Sequence, residues 1–142
     1  METEGFFTPE TPAAARQRYA DIGPAAQSVV REVARAMEFD QAEYDQRVTA
    51  PVIETARDTL FAALLEVHVG SAPEFDAWTE EHSAYSVERT GSEHVDRVAW
   101  HPAPATETVV ATTFQNEPQA AIGALRRQAW GSVYRELLEE GE

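Results

Sequence analysis

Apolar residues recur at helical spacing through the first half of the chain. Thr11-Pro12 sets a capping residue before a proline at the first helical position, which predicts a helix running to about Asp21 and ending at Gly23. Pro24 then opens a second helix, with Ala26, Val29, Val30, Val33 and Met37 on one face. Asp40 with Glu43 reads as a capping box for a short third helix. Pro51 begins a fourth, whose face carries Ile53, Ala56, Leu60, Leu64 and Val67 and which Gly70 closes. Ser71 with Glu74 is a second capping box, opening a short helix that carries Phe75 and Trp78.

From Tyr85 the period changes from that of a helix to that of a strand. Runs rich in Val, Thr and aromatics predict three antiparallel strands over about 85–90, 94–101 and 107–115, with Gly91-Ser92 in the first turn. Pro102 and Pro104 fall in the second connection, where a missing N–H matters least. In the middle strand Val98 and Trp100 share one face, and Arg97, Ala99 and His101 the other. Asn116 with Gln119 marks the start of a last helix over about 117–139, striped by Ala121, Ile122, Leu125, Ala129, Val133 and Leu137. Gly123 and Gly131 inside it each cost about 1 kcal/mol against alanine and suggest the close approach of a neighbouring element. The expected fold is α+β: a helical N-terminal half, a three-stranded antiparallel β-meander, and a long C-terminal helix packed on the sheet, with the final helix and the fourth helix as its covers. The 142 residues suit one globular domain, 1–142, with 1–10 and 139–142 frayed.

Charge adds the most specific signal. Twenty-five acidic residues stand against 11 basic ones, for a net charge of −14, and every basic residue is arginine. In dilute buffer that self-repulsion opposes the compact state; at molar salt, where the Debye length falls to about 3 Å, it is screened away. Arginine is weakly hydrated and pairs bidentately with carboxylates, so it suits such a surface better than the missing lysine. Composition therefore points to a salt-loving cell. The absence of cysteine excludes disulfides, thiolate catalysis and Cys-ligated metal sites. No apolar run approaches the ~18 residues of a membrane span, and Met1-Glu2-Thr3-Glu4-Gly5 is too acidic for a secretory signal, so the expected location is the cytoplasm.

Five stretches carry a resemblance: Gly23 to Gln27 (GPAAQ), Val29 to Phe39 (VVREVARAMEF), Glu54 to Val69 (ETARDTLFAALLEVHV), Val95 to His101 (VDRVAWH) and Leu125 to Glu136 (LRRQAWGSVYRE). Together they resemble an uncharacterised family of small haloarchaeal proteins. The resemblance supports the high-salt reading and implies no catalytic residue.

Candidate chemistry is sparse. His94 and Asp96 lie two apart, hence on one strand face, with Glu93 adjacent and His101 further along; these are the candidate metal ligands, but no paired His-x-x-x-His or helical zinc motif accompanies them. Solvated strand-end residues account for them as well, and no metal or cofactor is expected. His68 suits the end of the fourth helix and His82 a wet helix end. The serines lack a nucleophile-elbow context, and carboxylate pairs are expected by chance among 25 acids. Arg126 and Arg127, with Arg135 two turns on, form a local positive feature able to meet a carboxylate or phosphate. Trp78, Trp100 and Trp130 are the aromatic candidates for an interface. The third and fourth helices followed by strands suggest a winged helix, but Arg57 is flanked by Glu54 and Asp58, which disfavours nucleic acid. The leading expectation is a non-enzymatic interaction module or accessory subunit with a protein partner or a second copy. A small-molecule or metal-binding site between sheet and last helix, and a winged-helix regulator, are the alternatives.

Overall fold

Helix α1 (Pro12–Ala36) runs through the proline that was expected to separate two helices. Thr11 caps it as expected, its hydroxyl accepting from the Ala14 N–H at 3.0 Å. Pro24 brings no N–H to the carbonyl four residues back and crowds it. That carbonyl, on Ala20, instead accepts from Arg57 Nη2 at 3.3 Å, while Arg57 Nε donates to the Tyr19 carbonyl at 2.8 Å. The guanidinium also lies 4.2 Å from the centre of the Tyr19 ring, and the Tyr19 hydroxyl donates to Asp58 at 2.6 Å. A side chain from α3 (Ala50–Ala63) thus supplies the donor that the proline lacks, and the helix continues.

This computed structural model describes residues 1–139. The chain divides into two units, one of Met1–Arg16 and Ala62–Glu142, the other of Gln17–Phe61. The second unit is helical. Between α1 and α2 (Gln41–Arg47) the chain turns at Glu38, held at φ +58°. The Phe39 N–H reaches the Ala34 carbonyl and the Glu38 N–H that of Arg35, the two hydrogen bonds of a Schellman stop. Asp40 caps α2 by accepting from the Glu43 N–H at 2.8 Å.

The first unit is built on a sheet that corrects the three-stranded antiparallel meander. Five strands, β1 (Glu2–Glu4), β2 (Val67–Ser71), β3 (Ser86–Thr90), β4 (Arg97–Ala103) and β5 (Thr108–Phe114), form a mixed sheet in the order β1-β2-β4-β5-β3. β3 lies parallel to β5 rather than antiparallel to β4, so the segment after Gly91 crosses past β5 before β4 begins. The two strands missing from the expected sheet have separate causes. Val67 to Val69 continues the helical stripe of Leu60 and Leu64, but Leu65, Val67 and Val69 also alternate, and burial of all three selects the strand period. Residues 1–10 were expected to fray; β1 pairs with β2 through Glu2 opposite Val69, an acidic segment with no strand signature.

Both faces of this sheet are covered, not one. Val98, Trp100, Val109 and Ala111 pack with Phe75 of α4 (Ala72–Glu81), which the expected Ser71–Glu74 capping box opens in full. The opposite face presents Val67, Val69, Ala99, His101 and Val110, all buried, towards the C-terminal helical segment. That segment starts at α5 (Pro118–Ala129), after Glu117 rather than the expected Asn116 cap. It passes through a π-helical turn, Trp130–Tyr134, into α6 (Arg135–Glu139). A side chain at Gly131 would meet nothing within 4 Å, so no close approach explains that glycine. The last residues of the expected C-terminal fray, 140–142, lie outside the described residues.

Candidate interaction surface

The sequence gives α1 an apolar stripe meant for a core, but the structure leaves much of it in solvent. Val29, Val33 and Met37, one turn apart, are 45%, 53% and 59% exposed, and Val52 of α3 is 43% exposed. Between them runs a groove of about 590 Å³, floored by Ala34, Val48 and Ala56. The Schellman stop turns Phe39 into its end, where the Arg47 guanidinium lies 5.6 Å from the ring centre. Phe39 and Ala34 also line a smaller depression of about 230 Å³ with Arg31, Arg35 and Tyr44. Arg35 pairs with Glu32 at 3.1 Å, whereas Arg31 and Arg47 make no ion pair among the described residues. The trough is apolar, half-exposed and bordered by Arg47.

The residues singled out from sequence are dispersed. His94 and Asp96 are exposed in the connection before β4, while His101 is wholly buried in β4. Among the described residues no three His, Asp or Glu side chains converge to hold a metal ion. A depression of about 520 Å³ between β5 and α5 is lined by Thr112, Phe114, Asn116 and Ala121, with none of His94, Asp96, His101 or Arg126 in its wall. Trp100 is wholly buried, and its Nε1 has no hydrogen-bond partner among the described residues. Trp78 is half-buried and stacks on His82 at 4.0 Å, with Tyr85 edge-on to both. Trp130 is half-buried at the start of the π turn. Arg126 donates from Nε to the Leu65 carbonyl at 2.9 Å, and Arg127 is exposed. Arg57, the basic residue of the suggested recognition helix, is turned inward onto α1.

His101 has a defined chemical state. Its Nδ1 lies 2.6 Å from the Glu66 carbonyl, which can only accept, so Nδ1 carries the proton. Nε2 therefore accepts from the Tyr134 hydroxyl, also at 2.6 Å. Burial lowers the imidazole pKa to about 4 and raises that of the Tyr134 phenol, so both stay neutral at physiological pH. The pair is sealed from solvent and locks the π turn to β4. From sequence Tyr134 reads as a packing tyrosine or a candidate acid; its pairing with His101 was hidden because a regular helix places Val133, not its neighbour, on the stripe.

These features define the class: an α+β protein with a two-faced mixed sheet and a helical unit bearing an exposed apolar groove, and no helix among the described residues long and apolar enough to cross a membrane. The chain belongs to the family of unknown function DUF5809, whose model matches residues 6–135. No curated protein and no solved structure matched it.

Proposed function

We propose that this protein is a non-enzymatic interaction module, adapted to high salt, that docks a protein partner through the groove between α1 and α3. The observation that carries this reading is the exposure of Val29, Val33, Met37 and Val52 together on one face. Single exposed apolar residues are ordinary, but a contiguous set lining a trough costs solubility and persists where it is covered part of the time. The docking element is an amphipathic helix, because an apolar trough lined by residues of two helices takes a third through its residues at i, i+4 and i+8. The salt adaptation rests on composition: −14 net charge and arginine as the sole strong base.

A photo-crosslinking amino acid at Met37 tests the reading in cells. The expected result is one discrete adduct, lost when Val33→Glu is added and missing when the crosslinker replaces exposed Arg127. Equal labelling from both positions, or none from Met37, refutes it.

A further inference from the structure

One apolar row serves the groove both as wall and as ridge. Val29 and Val33 of α1, with Met37 just past its end, form a row at i, i+4 and i+8, and the trough beside that row is also lined by Val52 of α3. Such rows on two helices interdigitate at a crossing angle of about −50°. One copy's row can therefore enter the other copy's trough while the reciprocal contact forms about a two-fold axis, as an isologous interface requires.

Charge selects the same occupant. The helical unit Gln17–Phe61 carries five arginines against eight carboxylates, −3 of the total −14, while the rest of the chain holds six arginines against 17 carboxylates. A basic foreign partner is drawn to the strongly acidic unit, not to this one. Two copies, each at −14, can approach most closely where charge is lowest and both signs are interspersed. Arg47 lines the groove and Arg31 the depression next to it, where Asp40 also lies. Among the described residues neither arginine makes an ion pair, in a chain with 25 carboxylates. A second copy carries exposed Glu38 and Glu54 next in sequence to its own groove-lining residues, carboxylates of the kind such arginines pair with.

We propose that the occupant of the groove is a second copy of this chain, giving a two-fold dimer through α1 and α3. This rests on the docking reading above and narrows it to self-association. Sedimentation velocity of the full chain in molar KCl, over a hundredfold range of concentration, tests it together with the mass of the Met37 crosslink. The expected results are a dimer, an adduct at twice 15.7 kDa, and at least a tenfold weaker self-association for Val33→Glu and for Val52→Glu, both at exposed positions. A monomer throughout, with a Met37 adduct of some other mass, overturns the second copy and leaves the docking reading standing. A monomer with no adduct overturns both. A dimer that survives both substitutions places the contact elsewhere and also overturns the proposal.

Discussion

The guanidinium of Arg57 meets two carbonyls of α1 at the turn where Pro24 has no N–H to give. Removing it leaves the Ala20 carbonyl without that donor and strips the cation from the Tyr19 ring. Arg57→Ala is therefore expected to cost about 1–3 kcal/mol in urea unfolding followed by circular dichroism. With Pro24→Ala in place the backbone donor returns, so the same substitution should cost less, with a coupling of roughly 0.5–1.5 kcal/mol in a double-mutant cycle. Equal costs in both backgrounds would show that Arg57 packs on α1 without standing in for the missing donor. The buried His101 gives a second residue-scale expectation. Its pKa of about 4 lies below the unfolded value of 6.5, so between these pH values the unfolded chain holds a proton that the folded chain lacks. Stability then falls as pH drops below 6.5 and the loss is complete near 4, amounting to roughly 3 kcal/mol. His68, whose pKa burial also lowers, contributes in the same direction. Stability measured from pH 7 to 4 should lose most of this step in His101→Gln, while Tyr134→Phe should cost about 1–3 kcal/mol at pH 7 by leaving Nε2 without a donor. An unchanged acid step in His101→Gln would assign it to other groups.

At the level of elements, the caps at Thr11, Asp40 and Ser71 were legible because each rests on one side chain meeting one N–H nearby in sequence. What escaped was set by partners far along the chain. Pro24 reads as a helix start unless Arg57, 33 residues later, is known to face it. Val67 to Val69 reads as helix until β4 pairs with it, and the parallel placement of β3 on β5 depends on the path of the segment after Gly91, which no local pattern encodes. The α1 stripe was visible, but periodicity cannot distinguish a face that packs inside the chain from one left open. Two further backbone positions depart from what the sequence suggests. Glu38 occupies the left-handed position where a Schellman stop favours glycine, and Gly131 sits in the π turn where nothing requires it. Glu38→Gly should relieve a strain of about 1 kcal/mol without moving the groove, and Gly131→Ala should gain about 0.5–1 kcal/mol. Denaturant midpoints of the two variants check this. A loss of stability in Glu38→Gly would mean that its side chain makes a contact worth more than the strain.

For the molecule as a whole, the decisive quantity is how charge is divided along the sequence. The segments forming the sheet-bearing unit hold 17 of the 25 carboxylates and six arginines, so their self-repulsion exceeds that of Gln17–Phe61 by a wide margin. The Debye length shrinks from about 30 Å at 0.01 M salt to about 3 Å at 1 M, so repulsion that spans the unit at low salt becomes a matter of nearest neighbours. If the salt adaptation proposed above is correct, the melting temperature should climb steadily from dilute buffer to molar KCl. A gain of about 1–2 kcal/mol reads as roughly 3–10 °C for a chain of this size. Salt also strengthens apolar burial, and a charge-reduced variant separates the two causes. Glu80, Glu81, Glu88 and Glu93 are exposed and take no part in the caps or the buried network, so changing all four to glutamine lowers the repulsion without touching the core. That variant should melt higher than the wild type in dilute buffer and alike in molar KCl, which flattens the salt dependence from its low end. Parallel curves displaced by a constant amount would instead trace the salt response to burial, and a wild-type melting temperature indifferent to KCl would remove the case for salt adaptation altogether.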